Sequence, residues 1–133
     1  MNGYLLDTNI CIYYMKGKFG LDKRFAEVEN GDLYISEITL AELKFGVANS
    51  ANPVKNQQVL SQFLSGVQVL PILDALDAYA NEKTRLRKLG QPLDDFDLLI
   101  GASASSFNLV LVTNNLRHFE RMNELTIEDW TTP

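Results

Sequence analysis

The sequence predicts a single α/β domain spanning residues 1–133, with a mostly parallel, twisted β-sheet and helices on both faces. Three observations point there. Short apolar runs of strand length alternate with helix-length amphipathic segments along the whole chain. The 133 residues are about one domain's worth. The first apolar run, Tyr4-Leu5-Leu6, stops at an acid, Asp7, followed by Thr8 and Asn9. A buried strand of an open parallel sheet ends this way, where its carboxyl end opens into a ligand crevice.

Taken in order, Tyr4–Asp7 reads as strand one. Thr8–Met15 reads as a helix with Ile10, Tyr13 and Tyr14 on its apolar face, ended by Lys16-Gly17-Lys18. Leu21–Glu29 reads as a second helix, with Leu21, Phe25 and Val28 on one face and Asn30-Gly31 as its stop. Leu33–Ser36 is strand two. Helical spacing returns from Ile38 to Asn49 and breaks at Ser50-Ala51-Asn52-Pro53. Val54–Leu64 is a polar-rich amphipathic helix carrying Val59, Leu60, Phe63 and Leu64, and Val67–Leu70 is strand three. Asp74–Leu89 reads as a long helix, with Leu76, Ala80 and Leu86 inward and Lys83, Arg85, Arg87 and Lys88 crowding its end, where the helix dipole favours cations. After Gly90-Gln91-Pro92 a helix covers Asp95–Ser106, then an apolar strand Leu109–Thr113, a short helix Leu116–Arg121 and an edge strand Thr126–Glu128 before Trp130. There is no internal repeat, low-complexity tract or linker.

With 46% apolar and 22% charged residues, the composition is that of an ordinary soluble domain. Cys11 is the only cysteine, which excludes an intrachain disulfide and a cysteine metal cluster and fits a reducing cytoplasm. No apolar run approaches the length needed to span a bilayer, and no basic-then-apolar leader opens the chain, so it reads as mature and cytoplasmic. The net charge of −5 excludes a protein that grips nucleic acid by overall charge alone. Either nucleic acid is not a ligand, or the acids gather in one place and a metal neutralises them there.

Most acids have ordinary positions. Asp22, Glu27, Glu29, Asp32, Asp74, Asp77, Glu82 and Glu124 fall on polar faces or at helix starts and read as solvated. Three do not fit that description. Asp7 ends a buried strand and serves either as a metal ligand or as the cap of the helix that follows. Glu42 has Ile38, Thr39, Phe45 and Gly46 as its helical neighbours, and Asp97 has Leu93, Ile100, Gly101 and Ala104. A carboxylate on an apolar helix face must be paired with a cation, whether Lys, Arg or a metal ion. The small residues Gly101, Ala102 and Ala104 imply close packing of the last helix on the sheet. Asp94 or Asp95 suffices to cap that helix, so Asp97 is not needed for the purpose. Thr113 and Asn115 again follow an apolar strand, where they offer a hydroxyl and an amide to the same crevice or cap the next turn. An all-oxygen donor set of this kind suits Mg²⁺ or Mn²⁺, which meets phosphate and activates water.

Other chemistries are poorly supplied. His118 is the only histidine, which excludes a two-histidine ribonuclease and a multi-histidine zinc site. G-x-S-x-G, the P-loop and G-x-G-x-x-G are absent. Cys11, among aromatic and aliphatic neighbours, reads as core.

Four segments in order carry a resemblance: Leu6-Asp7-Thr8-Asn9; Ile35-Ser36-Glu37-Ile38-Thr39-Leu40-Ala41-Glu42-Leu43 with Gly46; Gly90-Gln91-Pro92-Leu93 through Asp97-Leu98-Leu99-Ile100; and Leu111-Val112-Thr113-Asn114-Asn115 through Arg117, Phe119, Glu120 and Arg121. Together with the closing Ile127-Glu128-Asp129-Trp130, they resemble PIN-domain proteins, in particular the VapC toxins of bacterial toxin–antitoxin pairs. The resemblance covers almost the whole chain. It implies a Mg²⁺- or Mn²⁺-dependent endoribonuclease in which Asp7, Glu42 and Asp97 match the metal-binding acids. Thr8 matches a polar position near the metal, and Thr113 and Asn115 match the fourth corner, where many PIN domains carry Asp. His118 stands where relatives often have an acid; Glu120 either replaces that charge or is simply exposed.

The resemblance also implies a VapB-type antitoxin that blocks the site, a toxin homodimer, and structured RNA, often a tRNA anticodon stem-loop, as substrate. Lys16, Lys18, Lys44 and the Lys83–Lys88 group, including Arg85, are candidate phosphate contacts or ordinary solvated cations. Two rivals stand beside this reading. A phospho-accepting Asp domain lacks its second acid, because Asn9 stands in that place. A catalytically decayed RNA-binding relative conflicts with the intact Asp7, Glu42 and Asp97.

Overall fold

A computed structural model describes residues 3–29 and 31–132. Five strands, β1 (Tyr4–Leu6), β2 (Leu33–Ser36), β3 (Gln68–Leu70), β4 (Val110–Val112) and β5 (Ile127–Glu128), form one sheet in the order β3-β2-β1-β4-β5. Every pairing is parallel. The helices are α1 (Thr8–Met15), α2 (Leu21–Ala26), α3 (Glu37–Ala48), α4 (Pro53–Leu64), α5 (Leu76–Lys88), α6 (Asp95–Ser106) and α7 (Leu116–Phe119). The α/β class and the parallel sheet are therefore as the sequence predicts.

Successive side chains of a strand face opposite ways, and β1 shows the consequence in two residues. Leu6 enters one core with Ile10, Leu21, Ile35, Leu60 and Val112. Leu5 enters the other with Leu86, Leu98, Ile100, Leu111 and Phe119. Helices α1, α2 and α4 cover the first face, and α5, α6 and α7 the second. The register sets the site. Leu6 pairs with Val112, so the next residues, Asp7 and Thr113, leave the sheet side by side, and Asp7 N–H donates to the Val112 carbonyl at 2.9 Å. Helices α1 and α3 start directly from the ends of β1 and β2, with only Asp7 between β1 and α1.

Several boundaries differ. Helix α2 stops at Ala26 instead of Glu29, because Glu27 already occupies its C-cap. Gly31 beyond it is left-handed at φ 92°, while Asn30 lies outside the described residues. Helix α7 stops at Phe119, with Glu120 as C-cap. The long helix expected from Asp74 begins as a 3₁₀ turn, Leu73–Ala75. Leu76 and Ala80, expected inward, are exposed. The inward stripe is Ala75, Tyr79, Glu82 and Leu86: one residue earlier than expected over its first two turns, and as expected at Leu86. A polar residue in that stripe hides it from hydrophobic periodicity. Glu82 is accordingly not a solvated acid: it is partly buried, bonded to Arg85 and to the Asn123 N–H.

Candidate active site

Asp7 is only 5% exposed. Its Oδ1 accepts the Thr8 N–H at 2.9 Å, and its Oδ2 accepts the Thr113 hydroxyl at 2.8 Å. A capping side chain normally accepts from the second or third helical N–H; Asp7 bonds the first. Burial pushes its pKa up to about 6 from the ordinary 3.8, and the charges of Asp97 and Glu42 add to the rise. The bonds from Thr113 and Thr8 act the other way without cancelling it.

Glu42 lies in the middle of α3 and is partly buried. The Thr8 hydroxyl meets its Oε1 at 2.7 Å and also sits 3.1 Å from the Thr39 hydroxyl. Thr39 is fully buried, but Phe45 is 67% exposed and Gly46 faces solvent. The face expected to be buried around Glu42 thus closes at one end only. Leu43 carries the core contact, and beyond Glu42 the face is open.

Asp97 sits in the first turn of α6, partly buried. Burial raises its pKa, Asp94 adds to that, and His118 opposes it. Asp94 caps α6 by accepting the Phe96 N–H at 3.1 Å. Asp95 turns to Lys83 at 2.8 Å and to the Tyr79 hydroxyl at 2.9 Å, so neither site chemistry nor capping describes it. Gly101, one turn beyond Asp97, fits against Met122: a Cβ there would meet the Met122 sulfur.

The fourth corner comes from the loop after β4. The Asn115 N–H donates to the Thr113 hydroxyl at 3.0 Å, and its side-chain amide reaches His118 Nδ1 at 2.7 Å. Asp97 Oδ2 lies 3.5 Å from the same nitrogen. Both contacts converge on one ring nitrogen, whose donor or acceptor role follows the ring tautomer, and His118 thereby stands between Asn115 and Asp97. A continuous run of polar contacts therefore passes from Glu42 through Thr8, Asp7, Thr113, Asn115 and His118 to Asp97. Sequence reasoning missed Thr39 and the placement of His118 within this run. Both were within its reach, since Thr39 precedes Glu42 by three residues and His118 follows Asn115 by three, the spacing of one helix face.

The donor set suits Mg²⁺ or Mn²⁺: carboxylate, hydroxyl and amide oxygens around two carboxylates that burial pushes toward protonation. A cation there relieves both. Among the described residues no group of three or more His, Cys, Asp or Glu side chains is already gathered closely enough to hold an ion directly.

Lys16, Lys18 and Lys44 are exposed on elements flanking the site. Arg85 is not placed like them: its guanidinium grips both Glu82 oxygens at 2.8 Å and donates to the Arg121 carbonyl at 2.7 Å. That fork ties α5 to the segment carrying His118.

The sequence matches the PIN domain family over residues 4–125. It is 36% identical over 129 residues to "tRNA(fMet)-specific endonuclease VapC" of Shigella flexneri, covering 96% of this chain and 98% of that protein. It is 40% identical over 129 residues to "Ribonuclease VapC2" of Haemophilus influenzae, covering 96% and 97%. Its fold is similar to a chain of the DNA-bound VapBC structure from Salmonella typhimurium, with a TM-score of 0.91 and 37% identity over 98% of this chain and 99% of that one. It is likewise similar to a chain of VapBC-1 from nontypeable Haemophilus influenzae, with a TM-score of 0.89 and 36% identity over 99% and 100%.

Proposed function

The chain belongs to the PIN domain family, and from that premise we propose that it is a Mg²⁺- or Mn²⁺-dependent endoribonuclease toxin of the VapC type, cleaving structured RNA. The observation that carries the proposal is the polar run joining Asp7, Glu42 and Asp97 at the carboxyl end of a parallel sheet. The full-length likeness to proteins named as VapC ribonucleases supports the reaction class, and the name of the Shigella flexneri relative supports tRNA as substrate. The likeness to chains of VapBC complexes supports a VapB-type antitoxin as the partner that holds the enzyme in check. A toxin homodimer belongs to the same proposal. So does a cytoplasmic place of action, where tRNA is found.

Asp7, Glu42 and Asp97 would hold the cation, which when bound supplies charge neutralisation and Lewis acidity at the scissile phosphate. The protein's own contribution is positioning. Thr113 fixes the rotation of Asp7, Thr8 fixes Glu42, and Asn115 with His118 closes the side next to Asp97. Water attacks phosphorus in line, the bond to the 3′ oxygen breaks, and the products are a 5′-phosphate and a 3′-hydroxyl. A site carboxylate takes the water's proton, and the leaving oxygen is protonated from solvent.

A phospho-accepting role for Asp7 is disfavoured by its burial and by the hydrogen bonds that occupy both of its oxygens. Mapping the ends of tRNA incubated with the protein and Mn²⁺ tests the proposal. Internal cuts with 5′-phosphate ends are expected from the native chain, and none from folded Asp7→Asn. Full cleavage by that variant, or cleavage undiminished in EDTA, refutes it.

A further inference from the structure

In the loop Lys16-Gly17-Lys18-Phe19-Gly20, between α1 and α2, Phe19 has no role in the site described so far. Phe19 is 55% exposed, unusual for a large aromatic side chain. Its backbone is left-handed, at φ 60°, between Gly17 at 70° and Gly20 at 64°. Glycine takes that conformation freely; a bulky residue there is a strained outlier, and such strain collects at functional sites. The loop is nonetheless fixed. Lys16, Gly17 and Lys18 donate their N–H groups to the carbonyls of Ile12, Tyr14 and Tyr13 at 2.9–3.0 Å. The Phe19 ring rests edge-to-face against Tyr13, with centroids 5.1 Å apart. Tyr13 is tied to the active site through its hydroxyl, which the Asn114 amide approaches at 3.4 Å. Asn114 stands between Thr113 and Asn115.

We propose that Phe19, backed by Tyr13, is a stacking platform for an unpaired base of the RNA substrate next to the cleavage point, with Lys16 and Lys18 on the flanking phosphates. The inference rests on the ribonuclease reading and adds to it a preference for single-stranded loops over duplex. A protein nuclease reads unpaired RNA by stacking splayed bases on aromatic rings, which helical RNA does not offer. An exposed ring that follows two exposed lysines in a hydrogen-bonded loop, in a chain of net charge −5, supplies both parts locally.

The test uses the full chain carrying Asp7→Asn, so that RNA is bound and not cut. Its probes are a fluorescein-labelled stem-loop RNA with an unpaired loop and a blunt duplex of the same length. Adding Phe19→Ala is expected to weaken stem-loop binding about 5- to 100-fold, the range of one base–aromatic stack, and to leave duplex binding unchanged. Phe19→Trp is expected to keep stem-loop affinity, with indole emission quenched by the stem-loop and not by the duplex, above the background of buried Trp130. Equal stem-loop affinity with and without the Phe19 ring, or Trp emission indifferent to RNA, overturns the platform and leaves the nuclease reading standing. Failure of the Asp7→Asn parent to bind either RNA overturns both. Unchanged RNA affinity with loss of co-purification of a co-expressed VapB-type antitoxin assigns the ring to a protein contact and overturns the proposal.

Discussion

The Thr113 hydroxyl donates to Asp7 Oδ2 at 2.8 Å across 106 positions of sequence, and the parallel register of β1 with β4 is what brings the two together. The Thr113 hydroxyl oxygen in turn accepts the Asn115 N–H at 3.0 Å. One fully buried hydroxyl thus orients both a proposed ligand and the loop of the fourth corner. Thr113→Val keeps the shape and removes both bonds. It strips the carboxylate of a charge-assisted partner and leaves an N–H without its acceptor, so urea unfolding at neutral pH should show a loss of about 1.5–3 kcal/mol. Thr113→Ser should recover most of it. A Thr113→Val protein as stable as the native chain would show that the hydroxyl orients nothing.

Asp7 makes the metal-free protein sensitive to pH. The folded state holds the Asp7 proton to about pH 6, whereas the ordinary carboxyl loses it near 3.8. Between those values the folded state binds the extra proton, so stability falls as pH rises and levels off above 6. The full difference is on the order of 3 kcal/mol. Asp97, raised in the same direction, adds to the slope. Denaturant midpoints measured in EDTA from pH 4 to pH 8 should decline for the native chain. They should decline much less for Asp7→Asn, which should be the more stable of the two at pH 8. Parallel curves would contradict the assignment.

Arg85 distinguishes a clamp from a phosphate contact. Its fork joins Glu82 on α5 to the Arg121 carbonyl, and Glu82 also accepts the Asn123 N–H. Arg85→Met should therefore lower the urea midpoint and slow cleavage by loosening His118, with the salt dependence of RNA binding unchanged. Lys18→Ala should do the reverse, leaving stability intact and reducing the salt slope by about one. A reduced slope in Arg85→Met would return Arg85 to the phosphate contacts.

The sheet and its helices were legible because both kinds of element keep their periods. Strand β2 and helices α1 and α6 stand at the residues the pattern gave. What escaped were places where a polar side chain does a core residue's work. Glu82 interrupts the inward stripe of α5, and with a 3₁₀ turn before it the helix turns Leu76 outward. Phe45 looked buried because its period is right, but α4 packs on the Leu43–Val47 side of α3 and leaves Phe45 facing solvent. Asp7, Glu42 and Asp97 stood out because a carboxylate among apolar neighbours contradicts its surroundings, although the face around Glu42 is half open. His118 and Thr39 contradict nothing locally; their three-residue spacing from Asn115 and Glu42 was the one available signal, and the fold places Thr39 on Thr8, the partner of Glu42, and His118 beside Asp97.

Titration of the native chain with Mn²⁺ by calorimetry, beside Asp7→Asn, Glu42→Gln and Asp97→Asn, tests most directly whether these three side chains share one cation. Saturable binding is expected near pH 7.5, with affinity falling about tenfold per pH unit below 6 as Asp7 takes up its proton. Asp7→Asn and Asp97→Asn should abolish binding, and Glu42→Gln should weaken it at least tenfold. Undiminished Mn²⁺ affinity in any one of the folded variants would show that the three carboxylates do not form one site.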